Sequence, residues 1–192
     1  MYNRIVSNRY RLLIFIVTFT VIACQPDIRE QEALRSEGLK KITRFIGKYP
    51  SFQNVLTEIK NEGNVIWEEA QKIRDVQKKY EHMKKSNDLI NGTLCRNLDE
   101  FGERIAKIKN HRREIKKLKT NAFPPEQIEN ELIESRNEMW RAAEMLNNAK
   151  VETREDAEII SEEALEIVRH VDLDVERFLK SILSKQKVME SK

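Results

Sequence analysis

The sequence has little of what a sheet-rich, disulfide-stabilised or fibrous protein needs. Its 192 residues include five glycines, four prolines and two cysteines, and aromatic residues make up only 7%. This scarcity, together with abundant Glu, Lys, Leu and Ile, excludes a collagenous, mucin-like or disulfide-knot chain. Because 40% of the residues are hydrophobic, the chain is predicted to fold and not to be globally disordered. Its length leaves room for one domain or two very small ones.

A charge surplus is also absent once the first segment is set aside. The whole chain carries a formal net charge of +3. Three of its bases, Arg4, Arg9 and Arg11, lie in residues 1–23, which contain no acid. The remaining chain therefore has 32 bases and 32 acids. A general attraction to nucleic acid needs a basic surplus, so we expect no nucleic-acid partner.

The first 24 residues contain the most specific motif. Residues 1–11 are basic, and residues 12–23 form an apolar run of twelve. Such a run is too short for a bilayer-spanning helix of about 20 residues, but it suits the core of a secretory signal peptide. Residues 21–24 (VIAC) end this run and resemble the lipobox of bacterial lipoproteins.

This resemblance implies that the Cys24 thiol is acylated with diacylglycerol, that the peptide is cleaved before Cys24, and that the new amino group is acylated, for example with palmitate. Two or more acyl chains, at about 0.8 kcal/mol per buried methylene, give stable anchoring. We therefore expect a signal peptide at 1–23, a lipidated tether at 24–32, a helical bundle domain at 33–184 and a frayed C-terminal tail at 185–192. An uncleaved anchor helix or an ordinary secreted protein is the alternative.

The remaining chain repeats apolar residues at the spacing of an α-helix. The clearest stripe comprises Leu94, Leu98, Phe101, Ile105 and Ile108. Breaks are predicted at Tyr49-Pro50, at residues 86–93 (SNDLINGT), at residues 121–125 (NAFPP) and at residues 147–148. Segments with one apolar stripe and short connections can bury those stripes only against each other. The sequence therefore predicts an all-α fold, an elongated antiparallel helical bundle of about four to five helices.

Several single residues are predicted to shape the helix ends. Ser51 follows a proline and is a plausible N-cap. Gly63 lies inside the second helical run and is expected to bend or split it. Pro125 suits the first turn of a helix, and Thr153 with Asp156 resembles a capping box.

No residue pattern typical of an enzyme is present. The sequence has no Ser-His-Asp or Cys-His context and no glycine-rich phosphate loop, so we predict a non-enzymatic protein without a cofactor. Glu166 and His170 are four residues apart, whereas ferritin-like sites use Glu-x-x-His twice, so no metal site is predicted. With Cys24 lipidated, Cys95 remains as a free thiol or forms a disulfide between two molecules. We expect a monomer.

Charge is unevenly distributed along the helices. Residues 104–119 contain eight Lys or Arg and one acid, whereas residues 126–176 contain sixteen acids and five bases. The basic helix either pairs with the acidic helices inside the fold or presents a patch to an acidic partner. Residues 115–120 (IKKLKT) match a loose heparin-type pattern of clustered bases, which favours polyanions through counterion release.

Together, the VIAC lipobox and the charged, helical body resemble the small helical surface lipoproteins of spirochaetes, Borrelia in particular. Among these, the size and the helix-rich body look most like the factor H-binding surface proteins of relapsing-fever Borrelia. The resemblance implies a lipid anchor in the bacterial outer membrane, display on the cell surface, and capture of the host complement regulator factor H for immune evasion.

Binding residues on a helical scaffold concentrate in loops, so partner contacts are expected in the turn at residues 87–94 and in the loop around residue 123. The basic helix is expected to steer association. The predicted partner-binding residues are Asn87, Leu89, Ile90, Asn91, Phe123, Arg112, Arg113, Lys116, Lys117 and Lys119. The alternatives are an adhesin for glycosaminoglycan or plasminogen, and a structural lipoprotein with a bacterial partner.

Overall fold

The described part of the chain is entirely helical and comprises residues 27–118 and 122–190 of a computed structural model. It contains six α-helices and no strand, which confirms the predicted all-α class. The helices are α1 (Ile28–Lys48), α2 (Gln53–Lys72), α3 (Val76–Ile90), α4 (Thr93–Lys117), α5 (Pro125–Asn148) and α6 (Arg154–Glu190), with a short 3-10 helix at Pro50–Phe52. None of these helices combines the length and apolarity needed to cross a membrane.

Helix α1 begins inside the segment predicted to be a tether. The Asp27 carboxylate accepts hydrogen bonds from the backbone N–H groups of Arg29 (3.0 Å) and Glu30 (3.3 Å). An N-cap of this kind satisfies donors that have no partner within the helix. Residues 28–32 are therefore helical, and the folded domain starts before the predicted residue 33. The predicted signal peptide and Cys24 lie outside the described residues.

The run predicted as one helix with a weak point at Gly63 is two helices that separate at residues 73–75. Asp75 caps the second of them with its carboxylate. Gly63 lies buried within α2, and a Cβ built there would be 2.6 Å from Cγ1 of Ile90. The glycine therefore allows α2 and α3 to approach closely, and it does not interrupt α2.

Two of the three predicted helix starts are confirmed. Pro125 is the first residue of α5. The Thr153 N–H donates to the Asp156 carboxylate, and the Asp156 N–H donates to the Thr153 hydroxyl, each at 3.1 Å. Ser51, in contrast, is not an N-cap: it lies in the 3-10 helix, and its hydroxyl donates to the backbone carbonyl of Leu146 in α5.

The six helices pack as two groups of three. Helices α1, α2 and α3 contact one another, and α6 packs along both α4 and α5. The end of α1 joins the two groups, because the Tyr49 ring meets the Phe101 ring of α4 edge-on with centroids 6.3 Å apart. Phe101, in the predicted apolar stripe, is 2% exposed. Ile105 is half-buried at the edge of the same core.

Helix α6 continues through the segment predicted to be a frayed tail. Residues 185–190 are helical. The Lys185 ammonium lies 3.7 Å from the centroid of the Phe123 ring, within the range of a cation–π contact. The prediction of a frayed tail is based on the apolar repeat, which ends near residue 184. The contact between Lys185 and Phe123 is independent of that repeat, so the repeat could not reveal it.

Candidate functional site

The predicted binding turn at residues 87–94 is mostly helix. Helix α3 runs to Ile90 and α4 starts at Thr93, so only Asn91 and Gly92 connect them. The turn signal in the sequence is therefore confined to the Asn-Gly pair, and the residues before it continue the helix.

Burial removes two of the predicted contact residues from the surface. Asn87 is 4% exposed, and its side-chain amide donates to the backbone oxygen (2.9 Å) and the side-chain oxygen (2.7 Å) of Gln31. Ile90 is fully buried. The prediction that Asn87 and Ile90 contact a partner is therefore corrected: both hold α3 in place. Leu89 and Asn91 are half-buried and remain at the surface.

The predicted loop residue Phe123 is engaged within the fold. It is half-buried, its ring centroid lies 5.3 Å from that of Phe178 in α6, and Lys185 covers its face. These contacts give Phe123 a packing role at the start of α5. Lys119, also predicted to bind, lies outside the described residues.

Two of the three bases in the first half of the basic helix, Arg104 and Lys107, are paired inside the fold. Arg104 donates to the Asp172 carboxylate at 2.7 Å, and Lys107 contacts Asp172 at 3.3 Å and Glu176 at 2.7 Å. The Asp172 side chain is fully buried. Hydrogen bonds from Lys107 and from Lys180 lower the pKa of Glu176 to about 2. These bases therefore fasten α4 to α6 and are not available to a partner.

The second half of the basic helix is different. Arg113, Lys116 and Lys117 are exposed and make no ion pair with any described residue. Arg112 beside them is half-buried and donates to the backbone carbonyl of Leu132 in α5 at 2.8 Å. We call these four bases of α4 the basic face. The internal pairing that the sequence offered as one alternative is therefore found for Arg104 and Lys107, and Arg113, Lys116 and Lys117 are exposed.

Positive charge next to the basic face also comes from two other helices, which the sequence analysis missed. Burial lowers the pKa of Lys48, at the end of α1, and the nearby charges of Lys109 and Arg44 lower it further. Burial also lowers the pKa of Arg112, and the charge of Arg136 in α5 acts in the same direction. Residue spacing within one helix cannot predict these neighbours, because the bases lie on three different helices.

The structure does not bring all predicted binding residues together. Leu89 and Asn91 lie at the start of α4, whereas Arg112 lies nineteen residues further than Thr93, or about 29 Å along the helix axis. The half-buried turn and the basic face are therefore separate surfaces. Of the two, the basic face has more exposed groups, because Arg113, Lys116 and Lys117 are exposed and make no ion pair within the described residues.

The remaining cysteine and histidine candidates give no site. Cys95 is 3% exposed, and burial raises the pKa of its thiol to about 11, so a disulfide between two molecules would require the core to open. The free-thiol alternative therefore fits the fold better. Within the described ranges, no group of three or more His, Cys, Asp or Glu side chains is arranged to hold a metal ion.

Comparison with known proteins identifies no relative: no protein family, curated protein or solved structure matches the chain.

Proposed function

We propose that the chain is a non-enzymatic, monomeric lipoprotein of the bacterial outer membrane, displayed on the cell surface, that binds a host macromolecule through the basic face. Cys24 carries the lipid. The helices form an elongated antiparallel bundle that holds the basic face away from the membrane.

One observation carries the binding part of this proposal: within residues 27–118 and 122–190, no acidic side chain forms an ion pair with a base of the basic face. The acids of α6 that face α4 are already used by Arg104 and Lys107. Like charges three and four residues apart on one helix repel each other, and Arg112, Arg113 and Lys116 are spaced in this way. An anionic ligand relieves this repulsion, so the fold leaves a surface that favours one.

The position of the lipid supports a ligand in solution. Cys24 precedes the α1 cap Asp27 by three residues. Helix α1 then runs for 21 residues, or about 30 Å, before reaching Lys48 beside Lys109. A membrane anchored at the start of α1 is therefore distant from the basic face.

The first candidate ligand is a host protein, with complement factor H preferred because of the resemblance in lipobox, size and helical body. In this case the charge of the basic face steers association.

The second candidate is a sulfated glycosaminoglycan. The specific observation in its favour is that positive charge extends from α4 onto α1 and α5 through Lys48, Lys109 and Arg136. Binding of a polyanion gains from the release of counterions at several neighbouring cations, so a surface that spans three helices suits an extended ligand.

A soluble form, residues 25–192, passed over immobilised factor H, heparin and plasminogen on a sensor surface tests the proposal. Saturable binding to factor H or heparin is expected. Binding to plasminogen alone would replace both candidates by that ligand. Binding to none of the three would contradict a host-directed function and leave a bacterial partner.

The lipid anchor is tested separately in the producing cell. Replacing Cys24 with Ala is expected to leave an uncleaved precursor that no longer partitions into detergent, whereas Cys95→Ala is processed normally. Protease treatment of intact cells is expected to degrade the wild-type protein. Normal processing of Cys24→Ala would contradict the anchor, and full protection from protease would contradict surface display.

A further inference from the structure

An exposed tryptophan lies on α5. Trp140 is 66% exposed, although tryptophan is on average one of the more buried residue types. It borders an open pocket of about 380 Å³ that Arg136, Asn137, Arg141 and Glu144 also line. Because residues 136, 140 and 144 are four apart, their side chains form one row along α5. This row lies on the exposed side of α5 and is separate from the apolar stripe that packs into the core.

Arg136 connects this row to the basic face. Arg112 reaches across from α4 and donates to the carbonyl of Leu132, one helical turn before Arg136. At the end of α1, the Lys48 ammonium lies 5.3 Å from the centroid of the Tyr49 ring and near the charge of Lys109 in α4. Positive groups with neighbours on the adjoining helix therefore lie on α1, α4 and α5, and Trp140 lies one helical turn beyond Arg136 on α5.

We propose that this surface is a binding site for an acidic polysaccharide, in which the indole of Trp140 stacks on a sugar ring while the bases contact sulfate or carboxylate groups. The proposal rests on the proposed function, because both use the basic face. It selects the polysaccharide from the two candidate ligands and adds the residue that contacts the sugar.

The chemistry of the row fits a sugar. The flat indole offers an apolar surface for the C–H face of a pyranose ring, and its N–H is a hydrogen-bond donor. Asn137 and Glu144 border the same pocket and offer an amide and a carboxylate to the ring hydroxyls. Arg136 and Arg141 flank the indole, and Arg141 already contacts the Glu138 carboxylate at 3.3 Å. Arg136 is therefore the base of this row that suits an anionic substituent, because guanidinium groups bind such groups in a bidentate manner.

The extent of the surface argues for a chain of sugars and not for a small anion. Packed helices lie about 8–10 Å apart, so a surface that crosses three of them spans roughly 20 Å. A single sulfate or phosphate contacts only one part of it. An extended polysaccharide contacts Trp140 and the basic face together.

Two other anionic partners fit less well. A membrane surface is disfavoured because the proposed lipid-bearing residue, Cys24, precedes the first residue of α1 by four positions, whereas Lys48 is the last residue of α1. Single-stranded nucleic acid binds by stacking successive bases on several aromatic side chains, whereas Trp140 is the one largely exposed aromatic side chain of the described residues.

Tryptophan fluorescence of the full chain, purified in detergent, tests the proposal directly. The sequence contains two tryptophans, so Trp67→Phe leaves Trp140 as the sole reporter. Titration of this variant with heparin is expected to change the Trp140 emission in a saturable way. Neutral dextran, a phosphatidylserine vesicle and a single-stranded oligonucleotide serve as comparison ligands, and none is expected to give the same change.

Affinity measurements provide the second readout. Trp140→Ala is expected to weaken heparin binding about tenfold, equivalent to about 1.4 kcal/mol. Trp140→Phe is expected to retain most of the affinity, and Ile159→Ala, an exposed apolar change on α6 (52% exposed), is expected to leave it unchanged. Melting temperatures close to wild type are expected for all three variants, because these side chains are exposed.

Each contrary result has a distinct meaning. If heparin binds but Trp140 emission and the Trp140→Ala affinity stay unchanged, the sugar-contact role is wrong while the basic face remains the binding surface. If heparin does not bind but factor H does, the polysaccharide class is wrong and the proposed function stands. An equal response to vesicles or to the oligonucleotide would also overturn the polysaccharide class.

Discussion

Phe101 links the two groups of helices through a single buried ring. It is 2% exposed, and its ring meets Tyr49 of α1 edge-on. Phe101→Ala is expected to lower the free energy of unfolding by about 3–5 kcal/mol, a large share of a typical total of about 5–15 kcal/mol. Urea denaturation followed by circular dichroism measures this. The control Val65→Ala, at a position that is 56% exposed, is expected to change the value by less than about 0.5 kcal/mol.

A Phe101→Ala protein as stable as the Val65→Ala control would contradict this packing. It would mean that the face of α4 carrying residue 101 is exposed in solution and available as a groove.

At the scale of helices, the approach of α2 to α3 depends on a glycine. A Cβ at residue 63 would be 2.6 Å from Ile90, whereas a Cβ at Gly102 in α4 would have nothing within 4 Å. Both substitutions by alanine gain helix propensity of about 0.5–1 kcal/mol. Gly102→Ala is therefore expected to raise the free energy of unfolding by that amount. Gly63→Ala is expected to lower it by about 1–3 kcal/mol because of overpacking.

Chemical denaturation of the two variants side by side checks this pair. Equal stabilisation by both substitutions would show that α3 does not press against α2 at Gly63.

Ion pairing between α4 and α6 gives the protein an acid-sensitive contribution to stability. The pKa of Glu176 is lowered to about 2 in the fold, against about 4.3 for an unperturbed glutamate. Because the folded-state pKa is depressed, this contribution is fully present above about pH 4.3 and is lost as the pH falls towards 2. Glu176→Gln is therefore expected to be less stable than wild type at pH 7 and to lose less stability on acidification.

Urea midpoints between pH 7 and low pH measure this difference, with Glu163→Gln as an exposed control on the same helix. Identical losses of stability in wild type and Glu176→Gln on acidification would contradict the pairing of Glu176 with Lys107.

The sequence predicts those features that depend on neighbours along the chain. The helical period around Phe101 and the Thr153–Asp156 cap are local patterns, and the structure confirms both. The role of Gly63 is not local, because it depends on Ile90, which is 27 residues further along the chain. The sequence therefore reveals a glycine but not the side chain that packs against it.

The candidate site divides in the same way. The basic residues of α4 are visible as a cluster in the sequence, including the exposed Lys116 and Lys117. Which half of that cluster pairs internally depends on α6, and the contributions of Lys48 and Arg136 depend on packing between helices. The exposure of Trp140 also depends on how the helices pack. Its position next to Met139 in the sequence is equally compatible with the buried face of α5.

At the scale of the whole molecule, opposite charges are numerically equal after residue 23 but spatially separated. The acids of α6 pair with Arg104 and Lys107, whereas Arg113, Lys116 and Lys117 have no ion pair in the part of the chain that the structure describes. With no net charge on this part of the chain, attraction of an anionic ligand depends on this local field and not on the total charge. Binding should therefore be sensitive to where a charge is removed and not only to how many are removed.

The measurement that tests this most directly compares two triple variants of equal charge on heparin and factor H surfaces at about 50 and about 200 mM salt. One variant replaces Arg113, Lys116 and Lys117 with Gln. The other replaces Lys78, Lys84 and Lys85, three exposed bases of α3, with Gln. If the basic face is the binding surface, only the first variant loses most of its affinity for heparin or slows its association with factor H, and its dependence on salt becomes weaker. Equal effects of the two variants, or none, would contradict the basic face as the site of ligand binding.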